Sequence, residues 1–415
     1  MDKKENREKM ITGGLGYLGL LFFTAGLLKL IEDKSGKGLL GKFFEYVPAV
    51  VCLYLVTMVL GSSGLWENTP EIVAVSSSTS SVLLPALIFL LLLRSDLRKV
   101  IKLGPRMIAV FVICSLSIMV SFVLGYLLFR GVLGAADSWK PLSALCGSWI
   151  GGTVNMVSIQ GALGVSQGDM GYVLMTDTVS YAVWLILMLL VVPWSRRFDR
   201  WSGADGSGME KVLSKLAEEG SAKVGVPTFG NIIFLLGLSA AVSAVSTTLG
   251  DITSAGLADF CAVNPVLSSL SSGSMWRVVY ASLFGLAAAM TPLGRLGGSL
   301  ELGNTMLYFV IAVTGAGVNL GELSFAAITA YLLLGLFILA AHSFFMCIAA
   351  KLFNFDFYSC QTASLANIGG VASATIISNA YSASLVPIGI LMATLGTILG
   401  TAGGLVVAKV LELLQ

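Results

Sequence analysis

The sequence predicts an all-α integral membrane protein of about 10–12 transmembrane segments in two inverted repeats, each with a broken or re-entrant fifth segment. Three observations predict it: long uncharged apolar windows, a glycine-broken stretch that occurs twice, and the placement of Lys and Arg. Of 415 residues, 56% are hydrophobic and 12% charged, and mean hydropathy is +0.88. Soluble domains carry about a quarter charged residues, so this chain lacks the polar surface a soluble protein of its length requires. The net charge of +2, with no basic patch outside the loops, gives no reason to expect a nucleic-acid partner. The six cysteines are scattered, mostly in apolar segments, with no C-x-x-C or Cys/His metal spacing; they read as small buried residues.

The first ten residues, "MDKKENREKM", are charged and run into an apolar stretch of about 20 residues without a small-residue cleavage site, which reads as a retained first helix. Apolar segments follow at about 47–64, 82–94, 107–130, 141–163 and 169–194. The third is short, so its start is expected to reach back into "VSSSTSS". A polar stretch, Ser195 to Val226, holds six Lys/Arg and the helix candidate "MEKVLSKLAEEG". Six further segments lie at about 228–249, 276–291, 304–320, 324–350, 360–381 and 385–410. The chain thus divides into a first membrane repeat (1–194), a cytoplasmic linker (195–227) and a second repeat (228–415).

"WIGGTVNMVSIQGALG" (Trp149–Gly164) places glycines and polar residues where a lipid-facing helix would carry leucine, and "NIGGVASATIISNAYS" (Asn367–Ser382) does so again. A gapless shift of 218 residues lays Gly147–Thr178 on Leu365–Gly396 with eight identities in 32 positions, among them Ile150–Gly152 on Ile368–Gly370. Internal duplication of this kind marks secondary transporters. Basic residues settle the relative orientation. The loop Arg94–Arg106 carries five Lys/Arg and Ser195–Val226 six, whereas 65–81 and 250–275 are expected to be external. Three crossings between the basic loops would put them on opposite faces; two keep them together. One of segments four to six therefore does not simply span, and the glycine-broken fifth is the natural candidate. Applied to segment eleven, the same reasoning makes the second half the inverted image of the first. It also places Lys3, Lys4, Arg7 and Lys9 outside, against the usual charge rule.

Backbone polar groups at mid-membrane must be paired, so a broken helix survives there only inside protein or beside a wet cavity. Broken ends aim helix N-termini at anions and freed carbonyls at cations. Around the breaks, Gly151, Gly152, Thr153, Asn155, Ser158 and Gln160, with Gly369, Gly370, Ser373, Thr375, Ser378 and Asn379, are candidate solute ligands. The plain alternative is that such small residues only pack helices. Asp177 lies about 12 Å into the sixth segment at the helical rise, where a carboxylate is costly and functional by default. Thr176 and its repeat counterpart Thr394 join Asp177 as candidate ion-coupling residues, with sodium at Asp177 as one option. His342, the single histidine, reads as a hydrogen-bonded packing residue, and Gly396, Gly400 and Gly404, four apart, as a helix-packing seam.

The blocks Leu83–Phe111, Gly147–Gly164, Thr176–Trp184 and Ala366–Ile376 together resemble the bacterial membrane-protein family known as domain of unknown function 819, over roughly residues 45–410. That resemblance implies a multi-pass protein of the bacterial inner membrane. More distantly, the chain is similar in plan to the cation/proton antiporter and bile-acid/sodium symporter superfamily. Those proteins have inverted repeats, one broken helix per repeat and an acidic residue on the following helix, the position of Asp177. The antiporters' paired acidic or Asn-Asp motif is replaced here by Thr176 and Asp177, which leans toward symport of an organic solute. The paired "IGG" also resembles the re-entrant tips of two-hydroxycarboxylate transporters.

The expectation is a sodium- or proton-coupled secondary transporter of a small organic solute, an anion being favoured, working by alternating access at a midplane site. No cofactor is expected beyond Na+ or H+ as coupling ion. The expected partners are the solute and the lipid bilayer, and a homodimer is compatible with the sequence. A sodium/proton antiporter without organic substrate is the alternative. An intramembrane enzyme is remoter, because Asp177 and His342 form no evident dyad and no zinc, nucleophile-elbow or Walker motif occurs.

Overall fold

The computed structural model describes residues 11–36, 38–46, 49–66, 69–96, 98, 101–133, 137–204, 225–263, 271–318, 321, 324–382 and 385–415. Sixteen α-helices form among them: α1 Gly14–Lys34, α2 Leu39–Tyr46, α3 Ala49–Ser62, α4 Pro70–Leu92, α5 Gly104–Leu133, α6 Trp139–Gly151, α7 Thr153–Leu163, α8 Gln167–Val191, α9 Ser195–Ser202, α10 Phe229–Val263, α11 Gly273–Ala289, α12 Ser299–Ala316, α13 Phe325–Phe353, α14 Phe357–Asn367, α15 Gly370–Tyr381 and α16 Val386–Leu413. No strand forms among the described residues, apart from one isolated bridge between Ile11 and Trp66. Seven helical stretches are long and apolar enough to cross a membrane, and α3 is a shorter apolar helix. The protein is therefore an all-α integral membrane protein.

Local chemistry sets the boundaries. Thr69 accepts from the Ile72 amide and Pro70 opens α4, where proline's missing N–H is harmless; the helix takes in the serine-rich run, as expected. Ser166 caps α8, Ser324 caps α13 and Asp356 caps α14, each satisfying an orphan amide. Asn354 ends α13 in the left-handed region at φ 53°. One difference from the sequence expectation stands out. The helix begun at Phe229 runs to Val263, well beyond the expected end near 249, because the weakly polar stretch after Gly250 contains no proline before Pro265. Segments five and eleven are each broken into two helices, α6–α7 and α14–α15, as expected. The candidate helix "MEKVLSKLAEEG" and the N-terminal basic residues lie outside the described residues.

Contacts between helix ends sort them into two ends of the bundle. At one, Arg106 donates to the Asn354 carbonyl, Lys351 to the Trp201 carbonyl, and the Phe357 amide to Asp199. Both described basic segments thus lie at this end. At the other, the Arg130 guanidinium donates to the Leu414 carbonyl, Ser62 to Val318, and the Ser324 amide to Tyr172. The α6–α7 pair enters and leaves at this second end. A single cleft there is bounded by Trp139 and Lys140 at the start of α6, Leu163 at the end of α7 and Gln415, and Ser272 donates to the Ala162 carbonyl. The α14–α15 pair does the same at the basic end, where Tyr381 donates to Gln361 Oε1 at 2.5 Å and Tyr358 to the Leu385 carbonyl. Each broken segment is a folded-back hairpin.

Packing divides the helices into two bundles, α1, α3, α4, α10, α11 and α12 against α5–α8 and α13–α16. They meet chiefly where α7 rests on α4 and α11 and where α8 meets α12. The tightest seam inside the second bundle joins α6 to α16 through glycines. A Cβ on Gly400 would come within 3.0 Å of Gly151 Cα, and one on Gly404 within 3.1 Å of Gly147 Cα. Small residues that let backbones approach are how helices associate where lipid removes the hydrophobic drive.

A buried polar chain ties α5, α8, α13 and α14. His342, 1% exposed, shares hydrogen bonds with Ser117 at Nδ1, 2.6 Å, and Ser364 at Nε2, 2.9 Å. Trp184 Nε1 donates to Ser364 as well. Both ring nitrogens are satisfied, so the imidazole works as a strut. His342→Leu removes one hydrogen bond from each of two buried hydroxyls, Ser117 keeping the Cys114 carbonyl and Ser364 keeping Trp184, at about 0.5–1.5 kcal/mol for each bond lost. The expected result is a lowered melting temperature in detergent, with any response to added cations unchanged; loss of that response would make His342 part of the ion path.

Candidate functional site

The site begins at the two hairpin tips. α6 ends at Gly151 and α7 begins at Thr153; between them Gly152 takes φ 90° and ψ −179°, a conformation open essentially to glycine. In the second hairpin Gly370 has φ 66°, and the 218-residue shift lays it on Gly152. Gly369, at φ 176°, is merely extended. Each tip therefore presents a helix C-terminus with orphan carbonyls and a helix N-terminus with orphan amides.

Asp177, on α8, reaches the last turn of α6. Trp149 Nε1 donates to Oδ1 at 2.8 Å and Ser148 Oγ to Oδ2 at 3.2 Å. Trp149 is held by an edge-on contact with Phe122, ring centroids 5.4 Å apart. The carboxyl lies beside a cavity of about 160 Å³ whose wall includes Gly152, Thr153, Ile368 and Gly369 from both tips, with Tyr181 from α8 and Val50 and Val51 from α3. The Asp177 carboxyl stands there next to the carbonyl end of α6, while the amide end of α7 starts at the same wall. The first pairing favours a cation and the second an anion.

The remaining sequence candidates are placed as follows. Thr153 and Gly369 line this cavity, and Ser373 borders it by donating to Tyr181. Gly151 sits in the α6–α16 seam, where a Cβ would collide with the Gly396 backbone. Asn155 accepts from Thr401 at 2.6 Å, in the same seam. Ser158 donates back to the Val154 carbonyl, Thr375 to the Ala372 carbonyl, and Ser378 lies 3.3 Å from Tyr358. Asn379 is exposed. Of the expected ion-coupling trio only Asp177 lines the cavity. Thr176 is buried toward Gly335 of α13, because its neighbour position on the helix turns it about 100° away. Thr394 donates to the Ile390 carbonyl in its own helix. Trp149 and Ser148, the partners of Asp177, were not singled out from sequence, although Trp149 opens the broken stretch.

Gln160 lines a second, larger cavity of about 470 Å³ between the two bundles, toward the other end of α7. Among the described residues no group of three or more His, Cys, Asp or Glu could hold a metal ion.

Two helical hairpins whose tips meet beside a carboxyl group, in a bundle of helices long and apolar enough to span a bilayer, make this a multi-pass membrane protein with a central polar site. The family model described as "Protein of unknown function (DUF819)" matches residues 19–414, and the chain belongs to that family. It is similar to the "Uncharacterized membrane protein YjcL" of Bacillus subtilis (strain 168), with 26% identity over 337 residues, 78% of this chain and 80% of that protein.

Proposed function

We propose that the protein is a sodium- or proton-coupled secondary transporter of a small organic solute, built from two inverted repeats that alternate around the hairpin tips. The carrying observation is Asp177, placed by Trp149 and Ser148 at the carbonyl end of α6 beside a cavity walled by both tips. A membrane carboxylate in such a cavity holds an ion or proton at modest cost, because the freed carbonyls of the break share the charge. The amide end of α7 at the same wall supplies the anion-seeking half. Ion and solute would thus neutralise one another, which couples their movement.

The inverted relation gives the cycle its form. The first hairpin is seated on the other bundle through α4 and α11. The corresponding helices for α15 are α12 and α3, yet its outer side leaves Val371 47% and Ile376 39% exposed. We read this arrangement as the state in which the Asp177 cavity opens at the basic end, between α3 and α15. Seating α15 on α3 and α12 while α7 leaves α4 and α11 would be the opposite state. By the positive-inside rule the basic end is cytoplasmic.

The test is the melting temperature of the purified protein against sodium, with choline as control, at several pH values. An ion bound only by the folded state stabilises by about 2.7 kcal/mol at a hundred times its dissociation constant. Stabilisation by sodium, or by protons in its absence, is the expected result. Indifference to both would sink the coupled-transport reading.

A further inference from the structure

The large cavity toward the other end of α7 is not used by the ion site. It lies between α4, α7, α11 and α12, away from the basic end. Two buried polar atoms at its wall have no protein partner: Gln160 Oε1 and Arg277 Nε. Buried polar groups are otherwise paired in all but a few cases, and an orphan asks what satisfies it. Arg277 is tethered from outside, with Nη2 2.7 Å from Asp251 Oδ1. Asp251 is 55% exposed and Arg277 28%, so water screens the aspartate while the Nε edge lies on the protein side.

The opposite wall is the serine run of α4. Ser76, Ser77, Ser80 and Ser81 line the cavity, and their spacing of one and four residues puts them on one helix face. Pro85, also on the wall, lacks the N–H that would pair the Ser81 carbonyl, leaving an acceptor nearby. The cavity therefore opposes one cationic N–H donor to acceptors that need a donor in return. A simple carboxylate would pair the Arg277 guanidinium but bring no donor for Gln160; an alcohol could donate to Gln160 but brings no negative charge to the guanidinium.

We infer that this cavity is the outer subsite for the transported solute, and that the solute is a small carboxylate that also carries a hydroxyl or amino donor. This rests on the transporter reading and specifies its substrate class. The carboxylate lies against Arg277 Nε, and the donor of the solute bonds Gln160 Oε1. Because α7 carries Gln160 at this cavity and Thr153 at the Asp177 cavity, release of α7 from α4 and α11 moves the bound solute's contact toward the tips.

The test measures melting-temperature shifts of the full-length protein, in sodium, with lactate, malate and serine, against propionate and 1-propanol. At least one of the first three is expected to stabilise, and neither control to match it. Arg277→Lys keeps a cation near Asp251 but removes the Nε donor, and should weaken that ligand by about 10- to 100-fold. Gln160→Leu should erase the preference for lactate over propionate. The sodium response, read at Asp177, reports that each variant is folded. If none of the three acids shifts wild type while sodium does, the subsite is wrong and the transporter reading stands. If an acid binds as tightly to both variants as to wild type, it binds elsewhere and the inference fails. If an acid binds through Arg277 but sodium and pH are without effect, it is the coupled reading that fails.

Discussion

Asp177→Asn is expected to remove the cation dependence of stability altogether. The substitution is isosteric and keeps an oxygen for Trp149 Nε1, which donates at 2.8 Å in the native protein. What it removes is the negative charge beside the carbonyl end of α6. In sodium-free buffer at neutral pH the variant should melt no lower than wild type, since a membrane carboxylate without a counter-cation is itself costly. Wild type should rise with sodium and the variant stay flat. Trp149→Phe deletes one donor and should shift, without abolishing, the sodium midpoint. A variant that responds to sodium as wild type does would make Asp177 a structural residue, and the glycine tips would need another explanation.

The second large effect lies at the α6–α16 seam. A Cβ on Gly396 would approach the Ile150 carbonyl oxygen to 2.6 Å and the Ala366 carbonyl oxygen to 3.3 Å. These atoms are backbone of the final turns of α6 and α14, so no rotamer change relieves the clash. Gly396→Ala is expected to cost at least about 1–3 kcal/mol, the range for overpacking a tight core. It should also displace the tips, so its sodium affinity should fall along with its melting temperature. Gly26→Ala, on a surface where a Cβ meets nothing within 4 Å, is the matched control and should be neutral or slightly stabilising. Equal melting temperatures for the two variants would contradict the packing account.

The breaks themselves were legible in sequence because the two stretches share a register. The residue that the 218-residue shift pairs, Gly152 with Gly370, is in each tip the one with positive φ. Charge placement also carried the inference that segment five turns back, and both described basic segments do lie at one end. Side-chain roles were less legible. Thr153 and Gln160 are seven residues apart and share one face of α7, each lining its own cavity, whereas Asn155 and Ser158 face elsewhere, Asn155 into the α16 seam. Composition alone treats all four as polar ligands; only the helical period and its neighbours sort them. Arg277 and the serine run gain meaning from helices far apart in the chain meeting at one cavity. No local pattern announces such a meeting.

Alternating exposure of the tips is the centre of the account, and accessibility of a single cysteine at Thr153 measures it most directly. With the six native cysteines replaced and the sodium response retained as the folding control, Thr153→Cys is treated with a membrane-impermeant maleimide. The reagent is applied to right-side-out and inverted vesicles, with and without sodium. Labelling from both faces is expected, with sodium changing the ratio between them, because Thr153 lines the cavity beneath Asp177 that each state would open to one side. Labelling from one face alone under every condition would contradict alternating access.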